Sequence, residues 1–476
     1  MTLFVGRKRE LEKLKSLEQT KTPKLVVIKG RRRIGKSRLA EEFAKDKNFI
    51  SLSGLSPLDN ISSQDQRDTF AQQISQKFNI PPFTFKDWSD GFAHLAQHLT
   101  KEPTVVLLDE ISWMGSKDPT FIPKLKLWWD LTLKDYPNLI LIFCGSVSTW
   151  IEENIINSTA FFGRITLQID LEELSVKESY ALLGEIGIKA SHYDIFKLLS
   201  IIGGVPWYLL QINPQETVDE NIRRLCFEKG GLLVNEFDRI FHDLFDRSGD
   251  LYKKILHILS TGMKDLKEIR QALDYTKSGY LSHHMKKLTT SGFVTQHYKW
   301  SLKSKSMSRQ SLYRLSDNYI RFFLKYIEPN FPKIRQNVFK ELSINNLPGW
   351  ESMMGYQVEN LILKNRYLLL RSLGIEIQDI VADNPYIQKS TVRQKGCQID
   401  YLIQTHTNNL YVCEFKFKKK EITSQIVEEV ENKVKRFPIP KGYGICPVLV
   451  HLGGVNDTVY ENNYFYRIID IEDFLS

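Results

Sequence analysis

Residues 24–45 read KLVVIKGRRRIGKSRLAEEFAK and join an apolar run, a glycine-containing loop and an amphipathic stretch. The run KLVVIK is rich in β-branched residues and predicts a buried strand, whereas SRLAEEFAK has helical spacing. The loop between them, GRRRIGKS, fits the pattern G-x-x-x-x-G-K-[ST], in which backbone N–H groups and a helix N-terminus face phosphates. We therefore predict a phosphate-binding strand–loop–helix unit; the alternative is a chance glycine-rich turn.

The same pattern predicts which residues bind a nucleotide. Lys36 is expected to reach the β- and γ-phosphates of ATP, and Ser37 to ligate Mg²⁺. ATP and Mg²⁺ are thus the expected cofactors. The predicted nucleotide contacts in this loop are Gly30, Arg31, Arg32, Arg33, Ile34, Gly35, Lys36, Ser37 and Arg38.

A second apolar run, TVVLLDE at residues 104–110, ends in two adjacent carboxylates. About seventy residues after a phosphate-binding loop, it predicts a strand whose Asp109 binds Mg²⁺ and whose Glu110 polarises the attacking water. A third run, LILIFCGS, ends at Ser146. Short β-branched runs that alternate with helices indicate a parallel sheet with crossover helices, and the paired carboxylates favour hydrolysis over binding alone.

Six segments of the first 210 residues carry a resemblance to a known family. FVGRKREL, GRRRIGKS, VVLLDE, CGS, FFGR and GGVPWYL follow one another in this order. They resemble the archaeal-type ATPase family of the P-loop AAA/STAND ATPases, which is similar to origin-recognition ATPases. The resemblance covers about residues 1–230.

The resemblance implies roles for residues outside the loop. Ser146 would be a sensor of the γ-phosphate, although a helix N-cap or turn serine is the alternative. Arg164 of FFGR would be an arginine finger or sensor, against the alternative of a surface arginine. The adenine contacts would come from Val5, Gly6, Arg7 and Pro206. The alternative for GGVP is a junction between two helices that Gly and Pro determine, and both interpretations can hold together.

Residues 250–315 predict a winged helix. Three short helical segments precede two strand-like stretches around a flexible, charged tip, which is the order of winged DNA-binding modules. Residues 263–314 hold eleven basic and three acidic side chains, a difference of +8 out of the +9 of the whole chain. We expect DNA as the partner, with groove contacts from Lys277, His283, Lys286 and Lys287 and phosphate contacts from Lys299, Lys303, Lys305 and Arg309. The alternative is a lysine-rich protein-binding surface.

The last segment contains a second group of chemically active residues, in QIDYLIQTHTNNLYVCEFKF. Pairing of the two predicted strands would bring Asp400 close to Glu414 and Lys416, which share one strand face. The carboxylates, with Glu359 from the preceding helix, would bind Mg²⁺, and Lys416 would position water. The alternative is an ordinary Glu414–Lys416 salt bridge.

The D-x13-E-x-K pattern over residues 345–476 resembles the PD-(D/E)XK nuclease-like superfamily. It also resembles the nuclease-like domain that follows the ATPase and winged helix in the same ATPase family. One departure is Ile-Asp where many active nucleases have Pro-Asp.

Composition limits the remaining choices. The N-terminus lacks an apolar signal region, no run approaches the ~20 apolar residues of a membrane span, and five scattered cysteines predict a reducing cytoplasm.

The predicted fold is α/β: an AAA-type ATPase core with a helical lid, a winged helix-turn-helix and a restriction-endonuclease-like domain. The predicted boundaries are 1–170 for the core, 171–245 for the lid, 246–330 for the winged helix and 345–476 for the nuclease-like domain.

These features predict an ATP-hydrolysing protein that engages DNA through its winged helix and cuts or grips it with its C-terminal domain. We also expect that the chain can associate with further copies of itself as a homo-oligomer. Two alternatives remain at this point. One is an ATP-gated signalling switch whose winged helix binds protein, and the other is a DNA-binding factor with an inert C-terminal domain.

Overall fold

The computed structural model describes residues 3–56, 61–146, 149–245, 249–274, 278–341, 343–390, 392 and 395–475. The chain divides into two compact units, Met1–Leu174 and Ser175–Ser476. The finer domain boundaries expected from the sequence stay predictions.

The first unit is built on a five-stranded parallel sheet in the order β2-β3-β4-β1-β5. Its strands are β1 (Lys24–Gly30), β2 (Asn48–Ser53), β3 (Thr104–Asp109), β4 (Leu139–Ser146) and β5 (Ile165–Leu171). Its helices are α1 (Lys8–Ser16), α2 (Lys36–Phe43), α3 (Ser63–Phe78), α4 (Trp88–Gln97), α5 (Ile111–Gly115), α6 (Phe121–Leu131) and α7 (Thr149–Ile151).

Both faces of this sheet are covered, which explains why its central strands are continuous apolar runs. Along β1, Leu25 and Val27 pack into one buried cluster, whereas Val26 and Ile28 pack into the other. Because all five strands are parallel, their carboxyl ends lie at one edge of the sheet. The phosphate-binding loop, the paired carboxylates and Ser146 therefore emerge at the same edge, and the predicted fold of this part is confirmed.

The second unit begins with helices and continues into a small three-stranded antiparallel sheet of order β6-β8-β7. The first helices are α8 (Val176–Glu185), α9 (His192–Ile202), α10 (Pro206–Leu209), α11 (Val218–Cys226) and α12 (Glu236–Phe245). They are followed by α13 (Gly249–Ser260), β6 (Lys264–Asp265), α14 (Leu266–Ala272), α15 (Ser278–Thr290), β7 (Val294–Trp300) and β8 (Met307–Leu315). Three helices followed by a β-hairpin form the predicted winged-helix order.

A mixed five-stranded sheet, of order β13-β12-β11-β10-β9, occupies the end of the second unit. The strands β9, β10 and β11 pair antiparallel, whereas β11, β12 and β13 pair parallel. The strands are β9 (Ile380–Gln388), β10 (Cys397–Thr405), β11 (Asn409–Phe417), β12 (Gly444–Leu452) and β13 (Arg467–Asp470). The helices of this region are α16 (Asn318–Phe322), α17 (Phe331–Arg335), α18 (Trp350–Lys364), α19 (Arg366–Leu373), α20 (Gln425–Arg436) and α21 (Asp457–Glu461).

Two local details shape the helices of this region. The stretch EPNFPKIR contains helix α17, and Pro332 is tolerated there because it lies in the first turn, where no N–H donor is needed. The helices α18 and α19 are separate and meet at Asn365. The Asn365 amide donates to the Leu361 carbonyl and accepts from the Val176 N–H, so it competes with regular backbone bonding.

No helix among the described residues is both long enough and apolar enough to cross a bilayer.

Candidate functional site

The phosphate-binding loop depends on its two glycines. A Cβ at Gly30 would collide with the Leu171 carbonyl oxygen on the neighbouring strand, so only glycine fits there. Gly35 has φ 88°, a left-handed conformation that favours glycine, immediately before α2 begins. The loop therefore turns sharply into the helix, and the first N–H groups of α2 have no intrahelical acceptor.

Lys36 is buried at the start of α2, and its ammonium group lies against the loop itself. Its Nζ donates to the carbonyls of Gly30 at 3.2 Å and Arg31 at 3.0 Å. Arg31 of the loop pairs with Glu173 at 2.6 Å, and Arg38 in the first turn of α2 pairs with Glu41 at 2.9 Å. The structure thus holds Lys36 within the loop and directs these two arginines into ion pairs.

Four of the predicted residues meet at the carboxyl edge of the sheet. The Ser37 hydroxyl donates to Asp109 Oδ2 at 2.6 Å, and the Ser146 N–H donates to Glu110 Oε2 at 3.4 Å. Burial raises the pKa of Glu110, and the charge of the nearby Lys36 opposes this shift. The edge therefore combines a hydroxyl–carboxylate pair with a second carboxylate of increased basicity.

Arg164 lies just before β5 and makes a two-pronged ion pair. Its Nε and Nη2 donate to the two carboxylate oxygens of Asp130 on α6, at 2.7 and 2.9 Å. The remaining hydrogen bond, at 3.4 Å, runs to the Phe162 carbonyl. None of these hydrogen bonds joins Arg164 to the phosphate-binding loop. Its role as an arginine finger or sensor therefore stays a prediction.

The N-terminal segment reaches the loop through one arginine. Gly6 and Arg7 both have positive φ, and this tight turn leads into α1. Buried Arg7 donates to the carbonyl of Ile34 at 3.2 Å and to that of Glu172. Arg7 therefore supports the loop backbone, while the adenine contacts of Val5, Gly6 and Arg7 stay predictions. Pro206 is the first residue of α10 in the second unit, and its contact with a base also stays a prediction.

The predicted DNA-reading helix, α15, has one exposed face. Tyr280, His283 and Lys286 are exposed, and Lys287 is half-buried. His284 faces the interior, where its Nδ1 lies 2.8 Å from the Tyr252 hydroxyl. Lys277 lies outside the described residues.

The wing, β7 and β8 with their connecting tip, is packed onto the C-terminal sheet. Trp300 Nε1 donates to Gln404 Oε1 at 2.8 Å, and Gln404 Nε2 donates back to the Leu302 carbonyl at 2.8 Å. At the tip, Lys305 donates to Asn408 Oδ1 at 3.0 Å. The sequence expectation of a flexible wing tip is thus wrong, because apolar and amide contacts pin the tip to a neighbouring sheet.

The basic surface predicted from charge counting is smaller than expected. Arg314 is only 4% exposed and forms a buried ion pair with Glu359. Lys303 and Arg309 remain exposed on the wing, whereas Lys299 is half-buried. Counting Arg314 toward a DNA-facing surface was therefore wrong, since a charge count does not separate surface arginines from paired core arginines.

The C-terminal acids converge as the strand pairing requires. The Phe415 N–H donates to Asp400 Oδ2 at 2.9 Å, which places this carboxylate beside Glu414. Burial, with the charges of Glu414 and Glu359, raises the pKa of Asp400 to about 7. Glu414 is 3% exposed and pairs with Lys416 at 3.0 Å and with Lys433 of α20.

Lys433 is a member of this cluster that the sequence did not indicate. It lies on the helix after the motif strand, and a lysine-rich helix carries no signal for which lysine turns inward.

Among the described residues, no three His, Cys, Asp or Glu side chains are arranged to bind a metal ion. Lysines contact both oxygens of Glu414, and Arg314 pairs with Glu359, so metal binding by Asp400, Glu414 and Glu359 stays a prediction.

Comparison with known proteins agrees with the geometry of the first unit. Residues 4–212 match the model of an ATPase domain predominantly from Archaea. An uncharacterized protein of Methanocaldococcus jannaschii, MJECL04, is 24% identical over 343 residues, which are 71% of this chain and 72% of that protein.

Two solved structures are similar to this chain. The Walker-type ATPase PABY2304 of Pyrococcus abyssi is 17% identical with a TM-score of 0.50, over 67% of this chain and 96% of the other. The Aeropyrum pernix ORC2 protein is 14% identical with a TM-score of 0.45, over 69% and 94% of the two chains. The first of these shares the fold. The segment that carries the phosphate-binding loop therefore belongs to the archaeal-type family of P-loop ATPase domains.

Proposed function

We propose that the chain binds and hydrolyses ATP with Mg²⁺ and uses this cycle in work on DNA. The observation that carries the first half is the meeting of Ser37, Asp109, Glu110 and Ser146 at one sheet edge beside the P-loop. A phosphate cradle, a hydroxyl–carboxylate pair and a basic carboxylate are the groups that phosphoryl transfer to water requires.

The chemistry of the donor set fits Mg²⁺. The Ser37 hydroxyl and the Asp109 carboxylate, 2.6 Å apart, are hard oxygen ligands of the type this ion prefers. When bound, Mg²⁺ supplies charge neutralisation on the phosphates. Lys36 binds the terminal phosphates by leaving the loop carbonyls that it now contacts.

Glu110 and Ser146 act on the attacking water rather than on the phosphates. The Glu110 carboxylate orients a water molecule and accepts its proton, and its raised pKa makes it a stronger acceptor than a free carboxylate. The Ser146 N–H fixes one oxygen of that carboxylate. Purified wild-type chain should release phosphate from ATP, and the lack of any nucleotide binding at millimolar ATP would contradict the proposal.

For DNA, we propose that α15 is the contact element and that the wing is a docking element. The exposed face of α15 presents an aromatic ring, an imidazole and a lysine, whereas the wing is tied to the C-terminal sheet by Trp300 and Lys305. Positively charged side chains near DNA displace counterions, so affinity should fall steeply between ~50 and ~200 mM salt.

Two matched charge reversals test this assignment. Lys286→Glu on α15 should weaken duplex binding about tenfold and lower the magnitude of the salt slope by about 1. Lys303→Glu reverses another exposed lysine, on the wing, and should change affinity less than about twofold. Fluorescence anisotropy over a salt series measures both. Equal losses for the two variants would contradict the docked-wing assignment, and negligible wild-type binding would favour a protein-binding winged helix.

A second candidate activity, DNA cleavage, is favoured by the convergence of Asp400, Glu414 and Lys416 on adjacent strands. The acids would hold Mg²⁺ through carboxylate oxygens, in exchange for the lysine contacts that they now make. The basic groups beside them would stabilise charge on the scissile phosphate.

Asp400→Asn keeps the side-chain shape and removes the charge, so it should abolish Mg²⁺- or Mn²⁺-dependent cleavage while the fold is retained. Asp383→Asn is the matched control, because Asp383 lies on the adjacent β9 and bonds to Tyr401 and Arg366 instead. A gel assay on linear, nicked and branched DNA with ATP measures cleavage. No cutting by the wild-type chain would contradict the activity and favour an inert C-terminal domain.

We also propose a homo-oligomer whose interface includes the neighbourhood of Arg164. The exposed apolar side chains Leu127 and Leu131 share one face of α6, and exposed Phe162 lies two residues before Arg164. A second copy of the chain would cover these side chains and receive Arg164 once it leaves Asp130.

A further inference from the structure

Three acids of the second unit form one cluster, and its members are Glu359, Asp400 and Glu414. Glu414 pairs with Lys416 of its own strand at 3.0 Å and with Lys433 of the following helix. Glu359, on α18, pairs with Arg314, the penultimate residue of β8 in the winged helix. The winged helix therefore supplies a cation to a cluster that otherwise belongs to the C-terminal segment.

The Arg314–Glu359 pair is buried, since the two side chains are 4% and 8% exposed. The guanidinium is held on a second side by α18, because its Nε donates to Asn360 Oδ1 and Asn360 Nδ2 donates to the Leu315 carbonyl at 3.0 Å. Separating a buried pair leaves a charge without a partner, which is strongly unfavourable. Glu359 is therefore fixed on Arg314 as long as β8 keeps its place.

The cations that contact Glu414 are held less firmly. The side chains of Lys416 and Lys433 are 21% and 28% exposed, so each of these flexible chains can turn to solvent and leave Glu414 to a metal ion. Arg314 lacks this route because its side chain is buried. The partner of Glu359 is thus exchanged only if the winged helix moves.

A carboxylate oxygen that accepts from a guanidinium is a poor ligand for a hard cation. Glu359 Oε1 is occupied by Arg314 Nη1, and Mg²⁺ would have to displace that group to bind there. Burial, with the charges of Glu414 and Glu359, raises the pKa of Asp400, so Glu359 is close to the other acids. Even so, no three His, Cys, Asp or Glu side chains among the described residues are arranged to bind a metal ion. Glu359 is a neighbour of the metal site rather than a ligand.

We propose, building on the Mg²⁺ site of the proposed cleavage activity, that Arg314 is a positioning residue that keeps Glu359 from binding the metal ion. While the pair is intact, Asp400 and Glu414 hold the ion, and water molecules occupy its other positions. If Arg314 leaves, Glu359 becomes a third carboxylate ligand and displaces water. The winged helix thereby keeps the acid cluster in a state of weaker metal binding.

Mn²⁺ binding to the full chain tests this role without a cleavage assay, since Mn²⁺ takes the same oxygen ligands as Mg²⁺. All variants carry Asp109→Asn and are measured without nucleotide, so that the P-loop edge does not bind the ion. Arg314→Gln should bind Mn²⁺ about fivefold more tightly than this parent, because a further carboxylate joins the ligands. Electron spin-echo spectroscopy in D₂O should count at least one water fewer on the ion. Both changes should vanish when Glu359→Gln is added.

Glu359→Gln alone is the second test, and it does not depend on how well the Arg314 variant folds. The amide still accepts from the guanidinium, so the fold should be retained, and the number of waters on Mn²⁺ should equal that of the parent. A gain of one water would show that Glu359 already binds the ion, and would overturn the proposal. An unchanged affinity and water count in folded Arg314→Gln would overturn it as well.

Two controls separate the proposal from general electrostatics and from the metal site itself. Arg366→Gln removes an exposed arginine that lines the same small cavity as Arg314 and pairs with Asp383, and it should change Mn²⁺ affinity less than about twofold. A gain equal to that of Arg314→Gln would mean that only nearby charge matters. Mn²⁺ binding that survives Asp400→Asn would contradict the proposed cleavage site, and the role of Arg314 with it. Binding that depends on Asp400 but not on Arg314 would contradict the role of Arg314 alone.

Discussion

Glu110→Gln should reduce ATP turnover by about 10²- to 10⁴-fold while ATP binding is retained. The amide keeps the shape of the side chain and still accepts the Ser146 N–H, but it takes no proton from water. Phosphate contacts come from Lys36 and Ser37, which the substitution leaves in place. Phosphate release at saturating ATP measures turnover, and a fluorescent ATP analogue measures binding.

The raised pKa of Glu110 adds a pH dependence with a defined sign. The carboxylate is active when deprotonated, so turnover should fall as the pH decreases through a pKa that lies above the ordinary 4.5 of glutamate. Burial disfavours the charged form, so the neutral variant should unfold at the same temperature as the wild type or at a higher one.

Glu102→Gln is the matched control for this prediction. It makes the same change in the exposed segment before β3, at the opposite end of the strand that delivers Glu110. Turnover by this control should equal that of the wild type. A Glu110 variant that stays within tenfold of wild-type turnover, or that loses ATP binding in parallel, would contradict the role given to this carboxylate.

The nucleotide edge was predictable because its determinants are local. The strand, the loop and the helix of the P-loop occupy one continuous stretch, and the strands β3 and β4 end in the polar residues Asp109 and Ser146. In a parallel sheet those ends share one edge, so the meeting of Ser37 with Asp109 follows from strand order alone. The order of the winged-helix elements is local in the same way.

Contacts between distant segments were not predictable. Trp300 and Gln404 are 104 residues apart, and nothing near Trp300 in the sequence distinguishes a docked wing from a free one. The inward turn of Lys433 and the pairing of Arg314 with Glu359 are likewise set by tertiary packing. The charge count therefore predicted a larger DNA-facing surface than the structure has, because it included Arg314. The motif spacing predicted the members of the acid cluster except Lys433.

Trp300→Ala should lower the free energy of unfolding of the second unit by about 3–5 kcal/mol. Trp300 is 7% exposed and belongs to the same buried cluster as Ile399 and Leu402 of the C-terminal sheet. Truncation opens a cavity there, and it also leaves Gln404 Oε1 buried without the indole donor. The wing should then exchange its amide hydrogens faster than in the wild type.

Tyr298→Ala is the matched control, because this aromatic residue lies on the same strand but is 45% exposed. It should cost less than about 1 kcal/mol. Hydrogen–deuterium exchange of β7, β8 and β10, together with urea unfolding followed by circular dichroism, measures both variants. If the wing is a docking element, Trp300→Ala should increase exchange in β10 as well as in the wing, since the two share one buried cluster. Equal costs for the two variants, or exchange confined to the wing, would mean that the wing and the C-terminal sheet fold independently.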